Sequence, residues 1–247
     1  MAILLLHGLG GDRRQPLALL GPALPEAATV FAPDARAHGS STLLGSPADF
    51  SLDALADEIA AGLPPEPLTI IGISMGAAIG LRLALRVEVQ KLVFIRPAFT
   101  DSPLPDNLAA YPVMGRLLAT FGAKHGEKLF RETDYFHELE TASPLAAEGA
   151  IEQFRKPDAA ARAIRLIEIP RNAAFESAAE LAEVTAPASI VAAPRDPVHP
   201  VDVAELWTAL LPNASLSLVP ARDEGVDVYV AATRAAVARA LEHEGPA

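Results

Sequence analysis

The stretch Leu68-Thr-Ile-Ile-Gly72-Ile-Ser74-Met75-Gly76-Ala-Ala-Ile-Gly-Leu-Arg-Leu-Ala-Leu85 joins two kinds of hydrophobic pattern. Leu68–Gly72 is a short, continuous apolar run, the signature of a strand buried on both faces. Met75–Arg86 is rich in Ala and Leu and reads as a helix. Between them stands G-x-S-x-G, with Ser74 at its centre. A serine on a sharp strand-to-helix turn is held with its hydroxyl exposed at the carboxyl edge of a sheet. The flanking glycines allow neighbouring backbone to approach where a Cβ would collide.

Outward from this stretch the chain keeps the same rhythm. Ala2–Leu6, Thr29–Ala32, Lys91–Ile95, Ser189–Ala193 and Ser215–Val219 are further candidate strands. Leu52–Gly62, Val201–Leu211 and Val228–His243 are candidate helices between or after them, the first preceded by Ser51 as an N-terminal cap. Such alternation predicts right-handed crossovers and an open, mostly parallel, doubly wound sheet of about six strands. The rhythm stops between residues 98 and 186, where prolines at 103, 105 and 112 precede helical patterns over Met114–Phe121, Ile151–Arg155 and Ala159–Ile167. An unstructured loop of that length is improbable in a compact domain. The expected organisation is a core of residues 1–97 and 187–247 with an inserted helical cap over 98–186.

Composition narrows the function classes. The 247 residues are 51% hydrophobic and 21% charged, enough for one large α/β domain with an insertion. Thirty-one acidic residues against 20 basic give a formal charge of −11, and no Lys/Arg run exceeds the pair Arg13-Arg14, which argues against a nucleic-acid partner. The absence of cysteine removes thiol nucleophiles, thiolate metal sites and disulfides. No apolar stretch approaches the ~20 residues that span a bilayer, and the start MAILLLHGLGG lacks a basic leader. The expectation is a cytoplasmic protein without a membrane partner, acting on a small molecule, with no metal and no organic cofactor.

Three more segments carry chemistry. His7-Gly8-Leu9-Gly10-Gly11 follows the first strand, and a glycine-rich turn there exposes backbone N–H groups suited to an oxyanion. Asp34-Ala-Arg36-Ala-His38-Gly-Ser-Ser41 follows the second strand; it reads better as a hydrogen-bonded, ion-paired loop tie than as a source of a base. Arg195-Asp196-Pro197-Val198-His199 follows the fifth strand and offers a carboxylate at a strand end, able to orient an imidazole. Asp101 is a second candidate acid.

This order, with HGLGG, DARAHGSS, GISMG, an insertion and RDPVHP, resembles the α/β-hydrolase superfamily over nearly the whole chain. The resemblance implies Ser74 as nucleophile, Asp196 as triad acid, and the N–H groups of Leu9 and Met75 as oxyanion donors. It also implies that the family's amino-terminal hairpin is absent here, the first strand matching the family's third. The family's histidine follows the last strand. The corresponding loop here, Pro220–Asp227, contains none. The six histidines stand at 7, 38, 125, 137, 199 and 243. A serine hydroxyl needs a neighbouring base to become a nucleophile. His199 could turn into the site; His125 or His137 could descend from the cap; Asp223 or Glu224 could act as a carboxylate base. The expected activity is hydrolysis of a small ester, thioester, amide or carbon–carbon bond through a degenerate or rewired triad. The competing expectation is a non-hydrolytic member, either a small-ligand receptor or carrier or a lyase- or cyclase-type enzyme. Leu104, Leu108, Tyr111, Met114, Phe121, Tyr135 and Phe136 are candidates to line an apolar pocket beneath the cap.

Overall fold

The computed structural model describes residues 1–242; the carboxyl end of the expected last helix, including His243, lies outside them. Six strands form one sheet: β1 (Ala2–Leu6), β2 (Thr29–Phe31), β3 (Leu68–Ile73), β4 (Val89–Ile95), β5 (Ala188–Ala192) and β6 (Ala214–Leu218). All neighbours pair in parallel, in the order β2-β1-β3-β4-β5-β6. Parallel pairing requires crossovers that cover both faces. This explains the continuous apolar runs. In β1, Leu4 and Leu6 join one core with α2 (Leu52–Ala60), α3 (Met75–Ala84) and α9 (Val201–Leu210). Ile3 and Leu5 join the opposite core with α1 (Arg14–Leu20) and α10 (Val226–Glu242). Trp207 of α9 is fully buried, edge-on to Phe94 of β4, with its indole N–H donated to the Phe99 carbonyl at 2.9 Å.

Between β4 and β5 the chain forms only helices: α4 (Ala110–Phe130), α5 (Asp134–Ala142), α6 (Pro144–Arg155), α7 (Ile164–Glu168) and α8 (Ala178–Ala182), with short 3-10 turns. Met114, Leu118, Phe130, Phe136, Ile151 and Phe154 build a separate apolar cluster among them. Several helices differ from expectation: α1, α5 and α8 were not expected, and α6 begins at Pro144 rather than Ile151. The pattern at 114–121 extends to Ala110–Phe130, kinked at Gly122 with φ +71°. The expected helix from Ala159 begins only at Ile164, because Pro157 and a left-handed Asp158 (φ +55°) turn the chain first. No helix among the described residues is long and apolar enough to cross a membrane.

Strand order reverses between β1 and β3, since β2 lies on one side of β1 and β3 and β4 on the other. In open parallel sheets the crevice at such a switch point, beyond the strand carboxyl ends, is where ligands bind. The turns that open there are His7–Gly11 after β1 and Ser74 after β3.

Candidate active site

The turn at Ser74 is strained and tightly packed. Ser74 has φ 55° and ψ −112°, a region costing a non-glycine residue about 1–3 kcal/mol. Its N–H is donated to the Ile95 carbonyl at 3.0 Å, which ties the turn to the end of β4. A Cβ on Gly72 would strike the Gly76 carbonyl, and one on Gly76 would strike the backbone of Leu6. The two glycines therefore let α3 start directly above β3 while pressing against β1. Met75 is the first residue of α3, so its N–H has no acceptor within the helix. Leu9 lies in the turn after β1 and lines the same cavity as Ser74.

That cavity has a volume of about 210 Å³. The imidazole that reaches Ser74 is His199. Its Nε2 lies 2.9 Å from Ser74 Oγ, and its Nδ1 lies 3.0 Å from Asp196 Oδ2. All three side chains are buried. Since a carboxylate only accepts, Nδ1 carries the proton and Nε2 presents a lone pair to the serine hydroxyl. Carboxylate and imidazole thus come from one loop, three residues apart. Asp196 Oδ1 accepts the N–H groups of Val198 (3.1 Å) and His199 (3.2 Å), which curls the loop so that the ring points back toward β3. Arg195 takes φ +58° to begin the turn. Asn107 clamps it from the inserted segment, donating to the Val198 carbonyl at 2.7 Å and the Ala98 carbonyl at 3.0 Å.

Electrostatics favour this protonation pattern. Burial by itself would raise the Asp196 carboxyl, but His199, cationic at the low pH where a carboxyl titrates, and its hydrogen bond, with the Arg96 guanidinium and the Val198 N–H, outweigh it and hold the group far below the usual carboxylate range. Burial pushes the His199 imidazole below its ordinary value; Asp196 opposes that shift, while Arg96 and Arg222 add to it. His199 is therefore neutral and able to accept a proton near pH 7.

Arg96 and Arg222 are residues the sequence reading missed. Arg96 follows β4 directly, with φ +50°, and donates Nη1 to Asp196 Oδ2 at 2.9 Å. Its guanidinium lies 5.6 Å from the Tyr229 ring centroid. A charged residue immediately after a buried strand was the available signal. Arg222 sits in the loop after β6, where the resemblance placed the histidine, and lines the Ser74 cavity.

The other candidates are placed elsewhere. His125 is exposed and edge-on to Phe121, and His137 is exposed with Nδ1 2.9 Å from the Thr133 carbonyl. Asp223 and Glu224 are half exposed and ion-paired with Arg195 at 2.7 Å each. Asp101 is exposed and accepts from the Ser102 hydroxyl. Asp34 accepts from Arg13 and Ser40, while Arg36 pairs with Glu58 at 2.6 Å, so this segment does tie loops together. Of the apolar candidates, Tyr111 and Met114 line the cavity; Leu108 and Phe136 are buried in the apolar cores; Leu104, Phe121 and Tyr135 are exposed.

Comparison with known proteins agrees with the architecture. A model of the alpha/beta hydrolase fold matches residues 2–224. The magnesium-chelatase 30 kDa subunit of Rhodobacter capsulatus is 32% identical over 133 residues, a match covering 49% of this chain and about half (46%) of that protein's length. A hydrolase from Pseudomonas aeruginosa PA01 is similar in structure with a TM-score of 0.71 at 21% identity, covering 98% of this chain and 90% of the other. MGS-M2, an alpha/beta hydrolase enzyme from a Medee basin deep-sea metagenome library, gives a TM-score of 0.73 at 16% identity, covering 100% of this chain and 90% of the other. At these identities the structural likeness is one of fold. With the family model spanning nearly all of it, this chain belongs to the alpha/beta hydrolase fold family.

Proposed function

We propose that this protein hydrolyses a small ester, thioester, amide or carbon–carbon bond, with Ser74 as nucleophile, His199 as general base and Asp196 as the acid that orients it. The observation that carries this reading is the continuous chain Ser74 Oγ–His199 Nε2–His199 Nδ1–Asp196 Oδ2, with both contacts at hydrogen-bond length. In the first step the Ser74 hydroxyl proton passes to His199 Nε2 as Oγ bonds to the substrate carbonyl carbon. The developing oxyanion is received by the N–H groups of Leu9 and Met75, aided by the amino-terminal dipole of α3. Imidazolium then protonates the leaving group, and Asp196 stabilises that cation without taking its proton. A water molecule, deprotonated by the same imidazole, releases the acyl group and restores Ser74. The cavity of about 210 Å³ suits a compact acyl group, and we propose that the helical segment 98–186 acts as its cap.

The test is turnover of p-nitrophenyl acetate together with intact-mass detection of an acyl-enzyme. Wild type is expected to turn over with an acetyl adduct on Ser74, and Ser74→Ala to lose both. A folded wild type with neither adduct nor turnover would favour the ligand-binding or lyase-type alternative.

A further inference from the structure

A second cavity, of about 490 Å³, shares no lining residue with the Ser74 cavity. It lies on the other side of the His7–Gly11 turn, between that turn, the Asp34–Ser40 loop and the segment that enters α7. Gln153, packed against Gly10, borders the Ser74 cavity on this side.

Its charge is unusual for a chain carrying −11 overall. Arg13 is neutralised by Asp34 at 2.9 Å and Arg14 by Asp12 at 2.6 Å. What remains on the wall is Lys156, Arg162 and Arg165 against Asp158, a surplus of two positive charges. Arg165 is the decisive residue. It is 3% exposed, yet no carboxylate among the described residues lies within ion-pair distance. Its one hydrogen bond runs from Nη1 to the Ala37 carbonyl at 2.8 Å, and its Nε is buried without a partner. Burial and Arg162 together push its guanidinium down to about 10. Arg162 likewise meets only a carbonyl, that of Gly39, at 2.8 Å. A second orphan stands on the same wall: His38 donates Nδ1 to the Arg36 carbonyl, and its buried Nε2 has no partner. A buried cation without a counter-charge is costly, and buried charges in proteins are normally paired. Neither orphan contributes to the chemistry at Ser74.

We propose that this cavity is a binding site for a small molecule bearing a phosphate-type dianion, a phosphate monoester or a diphosphate, with Arg165, Arg162 and Lys156 as its cationic ligands. The surplus of two charges matches the roughly −1.5 to −2 that a phosphate monoester carries at neutral pH. Planar guanidinium forks suit phosphate oxygens in bidentate pairs, and Lys156 adds a mobile point charge at the rim. The volume exceeds that of an inorganic ion, so the anion is one end of a larger ligand. Anchored through Arg162 and Arg165 to both the Asp34–Ser40 loop and α7, the ligand would fasten the inserted helices to the sheet.

The probe is inorganic pyrophosphate, titrated calorimetrically into the full chain at fixed ionic strength, with inorganic phosphate and citrate as comparisons. Saturable one-to-one binding of pyrophosphate with Kd below about 1 mM is expected, weaker for phosphate and absent for citrate. Arg165→Gln and Lys156→Gln are each expected to weaken it about tenfold or more, the usual effect of losing one charge-assisted bond. Lys156 is partly buried and its ammonium makes no hydrogen bond or ion pair among the described residues, so its variant keeps the test sound if Arg165→Gln folds poorly. Arg222→Gln, in the Ser74 cavity, should leave binding intact. The proposal is overturned by absence of saturable pyrophosphate binding in wild type, by equal binding of citrate, by indifference of binding to Lys156→Gln and Arg162→Gln, or by loss of binding in Arg222→Gln. None of these readouts depends on hydrolytic activity.

Discussion

Replacing Asp196 by asparagine isolates what the carboxylate does, because the shape is kept and the charge is lost. Asp196 Oδ2 accepts from His199 Nδ1 (3.0 Å) and Arg96 Nη1 (2.9 Å); Oδ1 accepts from two backbone N–H groups at 3.1 and 3.2 Å. An amide has one acceptor and one NH2 group, so in either orientation its NH2 faces two donors. If it faces His199, the ring must shift its proton to Nε2 and can no longer accept one from Ser74. A wrong tautomer of this kind lowers turnover about 10⁴-fold in serine hydrolases. Stability falls for a separate reason. Arg96, only 12% exposed, loses the carboxylate that pairs with it, and a broken buried pair costs about 3–5 kcal/mol. The double variant Arg96→Met/Asp196→Asn removes the orphaned charge and should recover most of that stability while staying inactive. Urea unfolding and p-nitrophenyl acetate turnover read the two effects separately. Turnover by Asp196→Asn within tenfold of wild type, in a folded protein, would refute the assignment of Asp196; a double variant no more stable than the single would refute the ion-pair argument.

Two further outcomes follow from the same charges. Arg222 is one of the groups holding the His199 imidazole down, so Arg222→Gln should move the acid limb of the kcat/KM profile to higher pH; an unmoved limb, or one moved lower, would remove Arg222 from the electrostatics of the site. Stability should fall on acidification below about pH 6.5, where the histidines of the unfolded chain take up protons. His7, His38 and His199 are all pushed below their ordinary value, chiefly by burial, so the folded chain declines those protons there. With more protons bound by the unfolded state, stability rises with pH through this window, by at most about 4 kcal/mol per pH unit if all three contribute. The depressed Asp196 acts lower, its contribution being complete above the unfolded carboxylate value of about 3.9 and lost as pH falls through its folded one. Urea midpoints flat between about pH 5 and 7 would contradict the buried, neutral histidines.

The sheet was legible chiefly because its inner strands are buried on both faces. Continuous runs such as Leu68–Gly72 and Lys91–Ile95 leave little choice of state, and only the ends moved, β4 starting at Val89 and β3 running on to Ile73. The turn at Ser74 was legible because its glycines have a steric purpose that the packing against Leu6 makes concrete. Helix α1 and the first turn of α4 were not, since Pro16 and Pro112 sit there, where proline is tolerated although it reads as a breaker; beyond Phe121 the kink at Gly122 ended the pattern early. The partner of Ser74 was beyond sequence order. Which of several imidazoles reaches a hydroxyl depends on loop curvature, here set by the left-handed Arg195 and by two N–H groups folded onto Asp196 Oδ1. Spacing alone left His199 beside His125, His137, Asp223 and Glu224. Arg96 went unseen for a related reason: a lone arginine after a strand reads as solvated until the structure shows it buried against Asp196.

On the proposed function, His199 activates Ser74 from the same loop that supplies its acid. The most direct measurement is the rate at which a fluorophosphonate probe labels Ser74 in wild type, Ser74→Ala and His199→Ala, with folding checked by circular dichroism. Rapid labelling of wild type is expected, none of Ser74→Ala, and labelling of His199→Ala slowed by about 10²–10⁴-fold. A folded His199→Ala protein that labels at the wild-type rate would contradict that role of His199.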